Sequence, residues 1–502
     1  MKMPVISVFV AFLMVVALGC GGNTAHKKND RPTAGADTVA KNLLTVKCMH
    51  GDLAVLWGAI KELHPGYGFY TPTTQLQLAY QNVYNSIKRP LSESEFIDTM
   101  YPFLCQLRCG HTQLKHAASF KPSGDKKVSH LPFHVLIQAH KAWITAHQAA
   151  ELNTGDEIIA MNGIPVSEMI NNGYNLYCGD GYNETFKELF LSEYDGFEDV
   201  CNKYYHWQPP YQLKLRTAGG EMKMVRLLEN EAKVQAAPQK TVDNLAGWTV
   251  AGEIENSRLR FQKNKSTAWF QVSPFAYADT GVYEKAFALI KQKGIRNLVL
   301  DVRHNTGGDI RVATRLLSYL ADADFNIVAD VKSRFTDPAS SRFARYFDAG
   351  ITKGFKLGFK AGARAGIWHH ITVTPEFGQL YGPFKPAKTN HFNGNLMVLI
   401  DGATFSSGAL FTAALKAQKR NVKFIGRETA GSEEGCNGMT VQRLTLPNSK
   451  VVVDFPWMRV VSVVKNAGHG RGIMPDYIVN YSPADLLSNK DLDMKKALTL
   501  VR

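Results

Sequence analysis

The chain has 502 residues, with 58 Lys and Arg against 44 Asp and Glu, a formal net charge of +14 and a pI of about 9.3. Its length allows about three domains, and a 45% hydrophobic, 11% aromatic composition is enough to bury real cores. The basic surplus raises nucleic acid or an anionic surface as partners. No zinc finger, Walker loop or aromatic-rich basic sheet accompanies it, so nucleic-acid binding is set aside and the charge is read as solvated surface.

The first segment is a targeting signal. Lys2 precedes an apolar run, Pro4–Leu18, too short to span a bilayer comfortably. The run ends in Ala17-Leu18-Gly19-Cys20, which resembles a bacterial lipoprotein signal, with Ala17 where Leu is usual. The resemblance implies that residues 1–20 are the signal and that Cys20 becomes the lipidated first residue. Ordinary cleavage near Cys20 is the alternative, and both routes export the protein. Residues 21–38 read as a flexible tether. Six cysteines remain: Cys48, Cys105, Cys109, Cys178, Cys201 and Cys436. They are too few for a disulfide framework, though one or two bridges stay open. Cys105 and Cys109 lie near His111 and His116, but no second Cys/His pair completes a tetrahedral set, so no metal and no cofactor is expected.

Residues 39–130 are expected to be a helical N-terminal domain. Leu53, Leu56, Trp57, Ile60 and Leu63 recur at helical spacing, and His64-Pro65-Gly66 stops that helix. Ser92-x-x-Glu95 is a capping box before the apolar run Phe96–Leu107. Residues 131–228 have the period of strands. There, Asn153–Pro165 sets an apolar strand between tight turns at Gly155 and Asn162-Gly163, a hairpin-like unit.

From residue 240 to 502, strand and helix alternate as in an α/β fold. Trp269–Phe275 is read as a strand, Tyr283–Lys293 as a helix, and Arg296–Val302 as a buried strand. That strand runs into Arg303-His304-Asn305-Thr306-Gly307-Gly308 and a helix through Leu320. Residues 335–375 are a basic insertion in which Lys353, Lys356, Lys360 and Arg364 are placed on one helical face and Phe355 and Phe359 on another. Leu396–Gln418 reads as buried strand, short turn and amphipathic helix, with Ser406 and Ser407 where turn becomes helix. Residues 443–456 read as a hairpin turning at Pro447–Asn448.

Three of these features carry chemistry. A serine at a strand-to-helix turn has its hydroxyl held beside N–H groups the helix has not used, as an oxyanion-forming nucleophile needs, although serine also caps helices there. Glycines at 307 and 308 let the backbone approach a substrate carbonyl. Gly110-His111-Thr112 offers an imidazole that titrates near neutrality.

In this order the features resemble the carboxyl-terminal processing (tail-specific) serine protease family. The strand-N-x-G-G-helix segment, the Ser406-Ser407-Gly408-Ala409-Leu410-Phe411 elbow and the Gly472–Tyr477 segment carry the likeness, and Gly155–Gly163 resembles the strand–turn pattern of a PDZ domain. The fold implied is α/β: a ClpP/crotonase-like protease core with a PDZ-like β-domain and a helical N-terminal domain. The function implied is an exported serine endopeptidase acting on peptides or protein C-terminal tails. Its partners would be peptide or unfolded protein C-termini, and the membrane through a lipid anchor.

Carried onto this sequence, the resemblance implies that Ser406 is the nucleophile. Ser407 and either Gly307 or Gly308 would give the oxyanion hole. The lysine base of many bacterial members is absent, because Ser432 stands in Thr429-Ala430-Gly431-Ser432. The histidine-containing branch, as in the tricorn core and proteins of Bacteroides-like bacteria, points to His111 as the base. Its activity would fall as pH drops through about 6.5, the ordinary histidine value. Glu428, Glu433 or Glu434 is left as the orienting acid, Glu428 first. A non-catalytic peptide- or ligand-binding lipoprotein on the same scaffold is the main alternative, and acyl-CoA chemistry a weaker one.

Overall fold

The computed structural model describes residues 43–121, 130–228, 234, 247–254, 257–263, 265–276, 281–419, 421–482, 484–485, 488 and 490–501. The signal, Cys20 and the tether lie outside them. No helix among the described residues is long and apolar enough to cross a membrane.

Three helices come first: α1 (Val46–Leu63), α2 (Thr73–Ser86) and α3 (Glu93–Leu104). The five periodic residues of α1 are all buried, and the helix ends at an extended His64. The capping box forms: Ser92 Oγ accepts the Glu95 N–H at 3.3 Å and Glu95 Oε2 accepts the Ser92 N–H at 2.8 Å. A 3₁₀ turn and a left-handed Arg108 then bring the chain through Gly110–Thr112 into the short strand β1 (Gln113–Lys115).

The middle region is a β-sheet with its own apolar core. Its strands are β2 (Phe133–Gln138), β3 (Lys141–His147), β4 (Glu157–Met161), β5 (Ile164–Pro165), β6 (Tyr211–Arg216) and β7 (Met222–Leu227). Helices α4 (Val166–Gly173), α5 (Thr185–Glu193) and the short α6 (Gly196–Asp199) are inserted between β5 and β6. The β4–β5 turn has φ of 48° at Asn162 and 82° at Gly163, the paired positive values of a hairpin turn that Asn-Gly supplies at low cost. The order β2-β3-β4-β6-β7 leaves β2 on the edge, beside α5.

The remaining chain supplies β8 (Trp248–Ile254), β9 (Ser257–Gln262), β10 (Thr267–Gln271), α7 (Val282–Gln292), β11 (Asn297–Asp301), α8 (Ile310–Ser318), β12 (Asp330–Ser333), α9 (Ala349–Gly358), β13 (Phe359–Ala365), β14 (Trp368–Val373), β15 (Asn395–Ile400), α10 (Ser407–Gln418), β16 (Val422–Gly426), β17 (Gly435–Thr445), β18 (Val452–Val461) and β19 (Tyr477–Ile478). One sheet runs β19-β16-β15-β11-β10-β9-β8, parallel from β19 to β10. Its central strands are continuous apolar runs because helices cover both faces; every residue of β11 is buried. The other sheet is antiparallel. In it, β18 pairs with β17 on one side and with β1 and β12 on the other.

The basic insertion departs from the helical reading. Lys353 and Lys356 lie on α9, but Lys360 and Arg364 lie on β13, which pairs with β14. The chain extends at Phe359, whose ring packs tilted against Phe377 with centroids 4.9 Å apart instead of continuing a helical face.

Helices α1–α3 do not stand apart; they share the apolar core of the α/β region. Asp52 is the polar tie. Its fully buried carboxylate accepts the Asn448 N–H at 2.9 Å and the Ser449 N–H at 2.7 Å, fixing the β17–β18 turn against α1. Removing it strands the buried Ser449 N–H, while the exposed Asn448 can turn to water. Asp52→Ala is therefore expected to lower unfolding free energy by about 3 kcal/mol. Chemical denaturation checks this, and a midpoint equal to wild type would show the tie to be idle.

Candidate active site

Ser406 follows β15 and a turn held by its own side chains. Asp401 Oδ1 accepts the Ala403 N–H at 2.9 Å, and Thr404 Oγ1 donates to the Val302 carbonyl at 2.9 Å. Ser406 has φ 52° and ψ −125°, a strained conformation for a residue with a Cβ. It stands at the N-cap position of α10, yet its hydroxyl makes no capping bond. Instead Ser406 Oγ lies 3.0 Å from His111 Nε2, joining residues 295 apart in sequence.

His111 is fixed from both sides. Asp180 Oδ1 accepts the Gly110 N–H at 2.7 Å. On the other side, His64 Nδ1 accepts the Gly66 N–H at 2.9 Å, so Nε2 carries the proton it donates to Thr112 Oγ1 at 2.8 Å. The His111 ring stacks on Phe405 with centroids 4.6 Å apart. Burial lowers the His111 pKa to about 4 and that of His64 to about 3, Arg334 adding to the latter, so both rings are neutral at pH 7. Burial raises the Asp180 carboxyl to about 7, against the opposing pull of the Gly110 bond and Arg459.

The glycine loop meets the elbow closely. A Cβ on Gly307 would lie 2.7 Å from Ser406 Cβ, and one on Gly308 2.3 Å from the Phe275 carbonyl oxygen. Both have positive φ, 97° and 129°. The two glycines differ in their amides. The Gly307 N–H is used on Asn305 Oδ1 at 3.0 Å. The Gly308 and Ser407 N–H groups have no acceptor among the described residues. Ser407 Oγ donates to the Gly308 carbonyl at 2.8 Å and holds the two segments together. The pair of free donors beside Ser406 is thus Gly308 and Ser407.

His304 ties this loop to the elbow. Its Nδ1 is 2.7 Å from Asp401 Oδ2 and its Nε2 3.0 Å from Glu193 Oε2. Asp401 chiefly, with Glu193, pushes its pKa up to about 12, so it is an imidazolium and not a second base.

Glu428, expected to orient the histidine, is elsewhere. Its carboxylate accepts the Gly472 N–H at 2.7 Å and binds Arg471 at 2.6 Å, lacing the Gly472–Tyr477 segment to β16. Glu433 pairs with Lys416, and Glu434 with His469, Arg459 and the Gly470 N–H. None of the three hydrogen bonds His111; basic groups and backbone donors nearer to each have taken them. The carboxylate that does reach the His111 turn, Asp180, sits in a Cys-Gly-Asp-Gly loop with no pattern to mark it. Ser432 is buried, and its backbone bridges to Gly472.

A neutral imidazole on a strained serine, beside two free backbone donors, is the arrangement of a serine hydrolase. Residues 266–479 match peptidase family S41. The chain carries a peptidase family S41 domain and is a serine-type peptidase. Two structures of mature CPAF share the fold. The complex with lactacystin is 15% identical, covering 91% of this chain and 98% of that one at a TM-score of 0.61. The second is 14% identical, covering 91% and 96% at 0.59. A sequence search of curated proteins returns no match.

Two substitutions test this geometry. Gly307→Ala is expected to push Ser406 off its position and cut kcat by roughly a hundredfold, the cost typical of a 1 Å misplacement. Unchanged kcat would show the elbow tolerates the methyl group. Asp180→Ala leaves the buried Gly110 N–H without an acceptor and is expected to cost about 1–3 kcal/mol, whereas Asp180→Asn keeps an oxygen acceptor and most of that stability. Equal loss in both variants, read by denaturation, would assign the effect to the charge instead.

Proposed function

We propose that the protein is an exported, lipid-anchored serine endopeptidase that cleaves peptides or protein C-terminal tails through an acyl-enzyme. The observation that carries the reading is the 3.0 Å contact between His111 Nε2 and the hydroxyl of a strained Ser406. Neutral His111 takes the proton as Ser406 Oγ attacks the scissile carbonyl. The N–H groups of Gly308 and Ser407 hold the developing oxyanion. His111 then protonates the leaving amine, and water attacks the acyl-enzyme by the same route in reverse. The main alternative, a non-catalytic binding protein, has no use for a strained serine aligned on a neutral imidazole.

The division into a helical domain (39–130), a PDZ-like domain (131–228) and a protease core (240–502) belongs to this reading. A substrate tail would add to the edge of β2. In the structure α5 covers that edge: the Ile137 N–H donates to Ser192 Oγ at 2.8 Å and the Ala139 N–H to Glu188 Oε1 at 2.7 Å. Strand addition there requires α5 to release both donors. Export and the anchor rest on Pro4–Leu18 and Cys20, and metabolic labelling with a fatty-acid analogue tests them; no label on wild type removes the anchor.

Ser406→Ala is expected to abolish hydrolysis of an unfolded substrate and labelling by a fluorophosphonate. Ser407→Ala keeps its N–H and loses only the bond to Gly308, so roughly tenfold loss is expected. Equal loss in the two would place the nucleophile wrongly, hydrolysis surviving in Ser406→Ala would move it to a different site, and no hydrolysis by wild type would leave the binding-protein alternative.

The pH profile tests the base. His111 acts only when neutral, and burial lowers its pKa to about 4. It therefore stays competent as pH falls through 6.5 and is lost only near 4. The acid limb of kcat/KM is expected near pH 4, and His111→Gln is expected to lose turnover while keeping the wild-type unfolding midpoint. A limb at 6.5 would mean that the ring is solvated in the working enzyme.

A further inference from the structure

We infer that Cys105 and Cys178 are a disulfide-forming pair, which in the oxidised protein closes a covalent bridge under the turn carrying His111. Their Sγ atoms lie 3.6 Å apart and hydrogen bond as thiols, across 73 residues of chain. A disulfide needs about 2.05 Å, so closure asks roughly 1.5 Å of sulfur movement. Both side chains are buried, at 5% and 0% exposure, with no side chain between the sulfurs. The other thiols are placed differently. Cys201 Sγ faces Met161 Sδ at 3.8 Å, and among the described residues no second pair of cysteines hydrogen bonds through sulfur.

The position gives the bridge a role. Cys105 begins the turn that ends at His111. Three residues on, the Arg108 carbonyl accepts the Gly181 N–H at 3.1 Å. Cys178 is two residues before Asp180, whose carboxylate holds the Gly110 N–H at 2.7 Å. The bridge thus joins the two segments whose hydrogen bonds set the histidine. The thiols are also unlike. Burial opposes the Cys105 thiolate, but the Cys178 hydrogen bond, Lys187 and Arg108 outweigh it and lower its pKa. The hydrogen bond to Cys105 and burial raise that of Cys178.

The chemistry balances with a small disulfide such as oxidised glutathione as oxidant. The thiolate of one cysteine, for example Cys105, attacks it, forming a mixed disulfide and releasing one glutathione thiolate. Cys178, giving up its proton, attacks the Cys105 sulfur and releases the second. The two protein thiols lose two electrons and two protons, and the oxidant becomes two thiols. Because both sulfurs are buried, this exchange precedes final packing.

The test uses the full chain, refolded in a mixture of reduced and oxidised glutathione, then denatured and alkylated without reductant. A peptide linking Cys105 to Cys178 is expected, and it should be absent from Cys178→Ser. The bridged protein should unfold at a higher temperature than its reduced form, and Cys105→Ser/Cys178→Ser should show no such redox difference. Full alkylation of both cysteines, a bridge joining another pair, or a redox difference that persists in the double variant would each overturn the inference.

Discussion

The bond between Asp180 Oδ1 and the Gly110 N–H sets where His111 can be. Nothing local places an imidazole 3.0 Å from a serine 295 residues later. The histidine rides on a short turn with a left-handed residue at Arg108, and such a turn has no stiffness of its own. Residues 178–183 supply it. They run between the turn and the 468–472 loop, with the Tyr182 N–H on the Gly470 carbonyl at 2.7 Å and Asn183 Nδ2 on the Ala430 carbonyl at 2.7 Å. Gly181 is required there, because a Cβ would stand 2.2 Å from the Gly470 oxygen. The same strap touches the histidine side and the segment behind the serine, so the two halves of the site share one reference.

The serine half is held by charge. Arg303 binds Asp301, Asp491 and Asp493 at 2.7–3.0 Å, tying the end of β11 to the C-terminal helix Leu492–Thr499. His304 continues the series to Asp401 and Glu193. Buried ion groups of this kind contribute little net stability, since desolvation offsets attraction, but removing one partner strands the others. Their effect is geometric: they fix the 303–308 loop against the elbow, where the Ser407 hydroxyl also bonds the Gly308 carbonyl.

Local patterns made much of this legible. The α1 stripe, the Ser92–Glu95 box, the Asn162-Gly163 turn and the apolar β11 and β15 each follow from residues close in sequence, and each formed. The strand–serine–helix elbow and the glycine loop were visible for the same reason: a turn that needs positive φ or a missing Cβ leaves its mark in residue type. What could not be read was any feature made by distant segments. Glu428 was placed first of three nearby glutamates, and only the fold shows each one consumed by Arg471, Lys416 or Arg459. Asp180 had no pattern to betray it. The periodic charges at 353–364 suggested one helix, and the pairing of β13 with β14 overrode that propensity after Gly358.

Helix α5 is the element through which the middle sheet and the site meet. Its first turn presses on the elbow: Thr185 Oγ1 donates to the Glu428 carbonyl at 2.9 Å, and the Thr185 oxygen lies where a Cβ on Gly402 would reach within 2.4 Å. Phe186 stacks 6.2 Å from Phe405, the ring that also packs on His111. Farther along the helix, Glu188 binds both Arg427 and the Ala139 N–H, and Ser192 takes the Ile137 N–H. A helix of nine residues is about 13 Å long and close to rigid, so displacement at one end is felt at the other. Helix α5 thus contacts both the β2 edge and the Phe405 ring that packs on His111. The sequence hides this link because Thr185, Glu188 and Ser192 are ordinary residues for a solvated helix face, and only their partners give them a joint role.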